Sequence, residues 1–146
     1  MTTYDFGAGP VPAARHMNPD GSTGGWVAAS AHVVPTATIS PGAKVWGEAR
    51  VYGQAQVLDH AVVRDRARLY DRALVRDHAV VMDDARVGHA AVVREDAVVG
   101  GHADVYGDAV VGGAARLAGQ LALSGAGVLS GGARLASWTR NRPLGD

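Results

Sequence analysis

The sequence predicts an all-β fold: a single-stranded parallel β-helix, or triangular β-solenoid, of about six 18-residue coils with no insertion loops. Three observations predict it. Stepping by six from Val27 to Leu135 meets 19 positions, and every one is Val, Ile or Leu. Two residues before these stands Ala, without a break from Ala31 to Ala115, and Ala133 resumes the row. Two residues after them stand Gly47, Gly53, Gly101, Gly107, Gly113, Gly119, Gly125 and Gly131, or Asp59, Asp65, Asp71, Asp77 and Asp83.

A helix cannot use this period, because a step of six turns a side chain by about 240° and sweeps it around every face. A strand that turns after each repeat can. The Ala and the aliphatic residue two places on then point to one side, and the residues flanking the aliphatic one point to the other. Gly adopts a left-handed backbone freely and Asp tolerates it, so these residues mark the corners. The outward residue before each aliphatic position sets the number of strands per coil. From Val62 onward it reads Val62, Arg68, Leu74, Val80, Arg86, Val92, Val98, Asp104, Val110, which repeats every 18 residues. Three strands therefore make one coil, and six coils at a strand spacing of ~4.8 Å give a prism roughly 29 Å long.

The terminal coils of such a prism expose unpaired edges that must be covered. Residues 1–24, with Tyr4, Phe6, Pro10, Pro12 and Pro19, are expected to form an irregular N-terminal cap, with Trp26 closing the core. The solenoid runs over 25–136. Residues 137–146, with Trp138 and Pro143, are expected to be a C-terminal cap or tail.

Composition narrows the function classes. Lys plus Arg and Asp plus Glu both total 14, so no whole-molecule field favours a nucleic acid or an anionic membrane. The only lysine is Lys44, and arginines suit planar, bidentate contacts. Absence of cysteine excludes disulfides, thiolate zinc sites and cysteine nucleophiles. Residues 1–10 lack the basic and apolar regions of a leader, and no run of eighteen apolar residues occurs. The expectation is a soluble, cytoplasmic protein without a membrane partner.

Units such as Val-Tyr-Gly-Gln-Ala-Gln and Val-Tyr-Gly-Asp-Ala-Val, over Gly25 to Leu135, resemble the left-handed β-helix hexapeptide-repeat superfamily. Thr23-Gly24-Gly25-Trp26-Val27 followed by Val-Tyr-Gly-x-Ala units is similar, more narrowly, to the YdcK-like subgroup, whose members are labelled transferases. The resemblance implies the left-handed wind. It also implies, for many members, an acyltransferase site with a histidine base and coenzyme A in the groove between prisms of a trimer.

His60 and His78 are the candidates for that base. They are 18 apart, so they should stack at one corner about 5 Å apart, behind Asp59 and Asp77. Two solvated corner histidines are the plainer reading, and an unbroken six-residue frame leaves no segment to enclose a substrate. The resemblance also extends to carbonic anhydrases of this fold, which hold zinc with three histidines, but His16, His32, His60, His78, His89 and His102 show no pair at the spacing that family uses, and zinc needs three or four convergent ligands, so no metal site is expected. Acidic ladders at Asp59, Asp77 and Glu95 and at Asp65 and Asp83 could hold calcium, but Arg64, Arg66, Arg72 and Arg76 beside them favour charge pairing.

Three surfaces remain. Arg50, Arg68 and Arg86 form an outward arginine row beside Tyr52, Tyr70 and Tyr106, relieved by Glu48 and Asp104 or open to an anionic or protein partner. Nucleic acid is disfavoured by so few phosphate contacts. Val62, Val80 and Val98, with Trp46 and Met82, line a second face; Leu74, Val92, Val110 and Val128, with Leu58, line a third. Exposed apolar rows of this kind mark association, here as a homo-oligomer, dimer or trimer. The reading is a non-enzymatic structural or binding β-solenoid without cofactor. The alternative is an acyltransferase using a coenzyme A thioester with His60 or His78 as general base.

Overall fold

The computed structural model describes residues 2–132 and the strand Arg134–Leu135; the expected C-terminal cap, residues 137–146, lies outside the described residues. The described residues contain strands and turns and no helix, and so none long and apolar enough to cross a membrane. From Lys44–Val45 to Arg134–Leu135 the strands are two residues long and start every six residues. Each pairs in parallel with the strand 18 residues away, as Val80 does with Val62 and Val98. The result is a β-solenoid of stacked three-strand coils, about six in number, as the period requires.

The inward residues explain why the chain winds this way. Every Ala of the row from Ala37 to Ala115 and every aliphatic residue from Ile39 to Val111 is fully buried. Each aliphatic side chain so buried contributes about 1.5–3 kcal/mol relative to exposure. Ala at the other inward position leaves room for the three aliphatic side chains of a coil to meet on the axis. No polar side chain enters this interior among the described residues; Asn18, at the N-terminal end, is the one buried polar residue.

The corners are left-handed. Asp59, Asp65, Asp71, Asp77 and Asp83 have φ between 56° and 59°, and the corner glycines from Gly47 to Gly131 lie in the same region. His89 (φ 56°) and Glu95 (φ 59°) occupy the same position, although Glu is not among the residue types enriched there. The coil dictates their conformation, at roughly 1–2 kcal/mol for an ordinary L-residue.

Three sheets form the faces. The N-terminal segment contributes β1 (Thr3–Asp5), β2 (Pro10–Met17) and β3 (Thr23–Ala28), which extend the first face. β1 and β2 pair antiparallel, β2 and β3 pair antiparallel, and β3 joins Lys44–Val45 in parallel. Residues 3–17 are thus largely strand rather than irregular, because the free edge of β3 supplies a template for β2. Trp26 does not close the core either. It sits in register with Lys44, outside, stacked on Tyr4 at 4.8 Å, while Val27 points inward with Val45. The second face starts with β4 (His32–Val33) and the third with β5 (Thr38–Ile39).

Candidate functional site

The period places the arginines before it places anything else. Arg68 lies in register between Arg50 and Arg86 on the second face, and Arg86 is followed by Asp104. All three arginines are exposed. Asp104 holds Arg86 bidentately, at 2.9 Å and 3.4 Å, and Arg50 Nη1 reaches the Tyr52 hydroxyl at 3.5 Å. Arg68 has no ion pair among the described residues. At the neighbouring corner Arg66 bonds Asp84 at 3.0 Å, and His102 stands 3.8 Å from the same carboxylate. Arg66, Arg68, Arg86, Asp84 and His102 line a shallow open groove.

The tyrosine row is built differently from its sequence image. Gly88 stands where a third tyrosine would follow Tyr52 and Tyr70, and the Tyr70 ring lies directly over it: a Cβ on Gly88 would fall 2.0 Å from the ring. Gly88 is buried under that ring. Burial raises the Tyr70 phenol above the ordinary tyrosine range; Asp104 adds to the rise and Arg86 opposes it. His89 packs its ring edge between Tyr70, at 6.1 Å, and Tyr106, at 5.9 Å, and lies 3.9 Å from Asp71. The pattern of residue types held no sign of His89's place among the aromatic rings; only its left-handed corner position brings it there.

His60 and His78 stack as the 18-residue spacing requires, with ring centroids 5.4 Å apart and planes 17° from parallel. Both are exposed. The carboxylates beside them are engaged elsewhere. Asp59 accepts the Asp77 N–H at 3.1 Å, Asp77 accepts the Glu95 N–H at 2.9 Å, and Glu95 accepts the Gly113 N–H at 2.9 Å. The ladder repeats at another corner, where Asp65 accepts from Asp83 and Asp83 from Gly101. Asp59, Asp65, Asp77, Asp83 and Glu95 each therefore satisfy the backbone N–H of the left-handed residue one coil on, whereas the Asp71 carboxylate lies near the His89 ring. Arg64, Arg76 and Arg94 approach Asp65, Asp77 and Glu95 from the side at 3.3–3.5 Å. Among the described residues no three His, Asp or Glu side chains converge as metal ligands would.

The apolar rows lie where the period puts them. On the first face Val62, Val80 and Val98 are in register between Lys44 and Arg116, beside Trp46, Arg64 and Met82. Arg64 lies over the Trp46 ring at 5.0 Å, and Phe6 stacks on the same indole at 5.6 Å. On the third face Leu74, Val92, Val110 and Val128 form one continuous row, with Leu58 alongside. These side chains are half-buried, because each packs on its in-register neighbour, except Val128, which is 46% exposed.

Comparison of the chain with family models, with curated proteins and with solved structures finds no match.

Proposed function

We propose that this chain is a non-enzymatic structural or binding β-solenoid of the hexapeptide-repeat type, wound left-handed as its sequence resemblance implies, which self-associates through its apolar faces. The observation that carries this reading is the row Leu74, Val92, Val110 and Val128, four aliphatic side chains in one register on a flat face and outward of a core already filled. Two such faces related by a two-fold axis are self-complementary. The Arg50, Arg68 and Arg86 row with Tyr52, Tyr70 and Tyr106 then serves as the recognition surface for an anionic or protein partner. Arg68, without an ion pair among the described residues, is its centre.

Sedimentation of wild type against Val92→Lys/Val110→Lys tests the association. The wild type sediments as a dimer or trimer at micromolar concentration and the variant as a monomer; a monomeric wild type contradicts the proposal. For the recognition surface, binding of heparin as a model polyanion weakens with salt and drops on Arg68→Ala.

The acyltransferase alternative draws less support. Asp59 and Asp77 give their carboxylates to backbone N–H groups, so they do not orient His60 or His78 as a catalytic carboxylate would. Thermal stabilisation by acetyl-coenzyme A, lost on His60→Ala/His78→Ala, would favour that alternative.

A further inference from the structure

The N-terminal end of the prism has three sheet edges, and they are not treated alike. On the first face β2 pairs along β3. On the third face a side chain replaces a strand: Asn18 donates through Nδ2 to the Ile39 carbonyl at 3.1 Å and accepts the Ile39 N–H through Oδ1 at 2.9 Å. His16 Nε2 lies 2.8 Å from the Ala37 carbonyl on the same edge. On the second face β4 is the outermost strand and, among the described residues, pairs only with Arg50–Val51.

The backbone of β4 is directional. His32 N–H donates to Ala49 at 2.9 Å and Val34 N–H to Val51 at 3.0 Å, both toward the next coil. Alternation along a strand turns the Val33 N–H and C=O the other way, off the sheet. Side-chain burial agrees. Val27, Ala31 and Val33 are half-buried, whereas Ala37 and Ile39, under the Asn18 cap, are at 0% exposure. Between β2 and β4 lies a hollow of about 510 Å³ walled by Pro12, Ala13, Ala14, Val27, Ala31 and Val33.

We infer that this hollow is a docking site for an extended peptide segment of another protein, which adds to β4 as one more parallel strand. Main-chain hydrogen bonds to Val33 supply the register, and the hollow supplies side-chain selectivity. The occupant's chemistry follows from the solenoid itself. A strand stacked in register on Ala31 and Val33 places a small residue over the first and an aliphatic one over the second, as each later coil does, with any residue between them over exposed His32. The pattern is small, any, aliphatic. In a second copy the segments of this pattern in the interior coils already pair on both sides, as Arg68–Leu69 does; Gly127–Leu129, whose strand pairs on one side among the described residues, is the competing source that the concentration dependence below tests.

The probe is a synthetic peptide with the sequence of residues 47–53, GEARVYG, which is the stretch already paired with β4 on its inner side. Hydrogen exchange of the Val33 amide, followed by NMR on the full chain, slows about tenfold or more with the peptide. A control peptide with its alanine and valine both changed to aspartate leaves the rate unaltered. Ala14→Trp, at an exposed position on the wall, removes the protection while the far-ultraviolet circular dichroism stays that of the wild type. An unchanged Val33 rate with the probe, equal protection by the control, or protection that rises with protein concentration alone would each overturn the inference, the last by showing a second copy in the hollow.

Discussion

At the residue scale, acidic side chains in the left-handed corners serve the backbone more than they serve any ligand. Asp77 shows this best: its hydrogen bond from the Glu95 N–H, with Arg76 beside it, holds its carboxyl below the ordinary carboxylate range. A lowered folded-state pKa adds stability above the unfolded value, about 4, and that stability is lost as pH falls through the folded value. Asp77→Asn, which keeps an acceptor and tolerates the left-handed backbone, is expected to flatten the fall of Tm between about pH 5 and pH 2, measured by thermal denaturation at each pH. The aromatic row has its own single-residue test. Gly88→Ala pushes the Tyr70 ring off the second face with little loss of stability, because the far end of a side chain can swing away. Its readout is a Tyr70 phenol returned toward the ordinary tyrosine pKa in an ultraviolet titration.

At the scale of the element, the N-terminal segment acts as a strand supplier. Proline-rich sequence reads as irregular, yet β2 tolerates Pro10 and Pro12 because its register with β3 begins at Ala13, and Pro12 still accepts the Ala29 N–H through its carbonyl. Gly24 and Gly25 permit the close approach: a Cβ at Gly25 would sit 2.0 Å from the Ala43 carbonyl and at Gly24 2.3 Å from the Ile39 carbonyl. The buried Asn18 amide then finishes the edge. Asn18→Ala leaves the Ile39 N–H and C=O without their partner, and the expected cost is about 2–3 kcal/mol, read as a lower urea midpoint at constant slope. The sequence contains the residues for this cap but no periodicity to place them, since the cap is made by chain reversal and not by repetition.

At the scale of the molecule, each coil is bonded only to its neighbours, so damage should stay local. Leu69 is fully buried on the axis, and Leu69→Ala is expected to cost about 2–5 kcal/mol. Hydrogen exchange should show the loss in the coils holding Arg50–Val51, Arg68–Leu69 and Arg86–Val87, with little change near Val110–Val111. Uniform acceleration along the prism would mean that the solenoid unfolds as one unit. The proposed lateral association belongs to this scale too, since the row Leu74, Val92, Val110 and Val128 exists only when the coils are stacked.

The six-residue period determined on its own the all-β class, the three-strand coil, the inward Ala and aliphatic rows and the stacking of His60 on His78, because strict repetition converts sequence spacing directly into distance. The tertiary structure decided what repetition does not encode. It turned Trp26 outward, laid Tyr70 over Gly88, drew His89 between two tyrosines, directed the corner carboxylates to backbone N–H groups and closed the edge of β5 with Asn18 while leaving that of β4 open. Each of these depends on which groups compete for one unfilled hydrogen bond or one vacant space, and that competition exists only once the coils are wound.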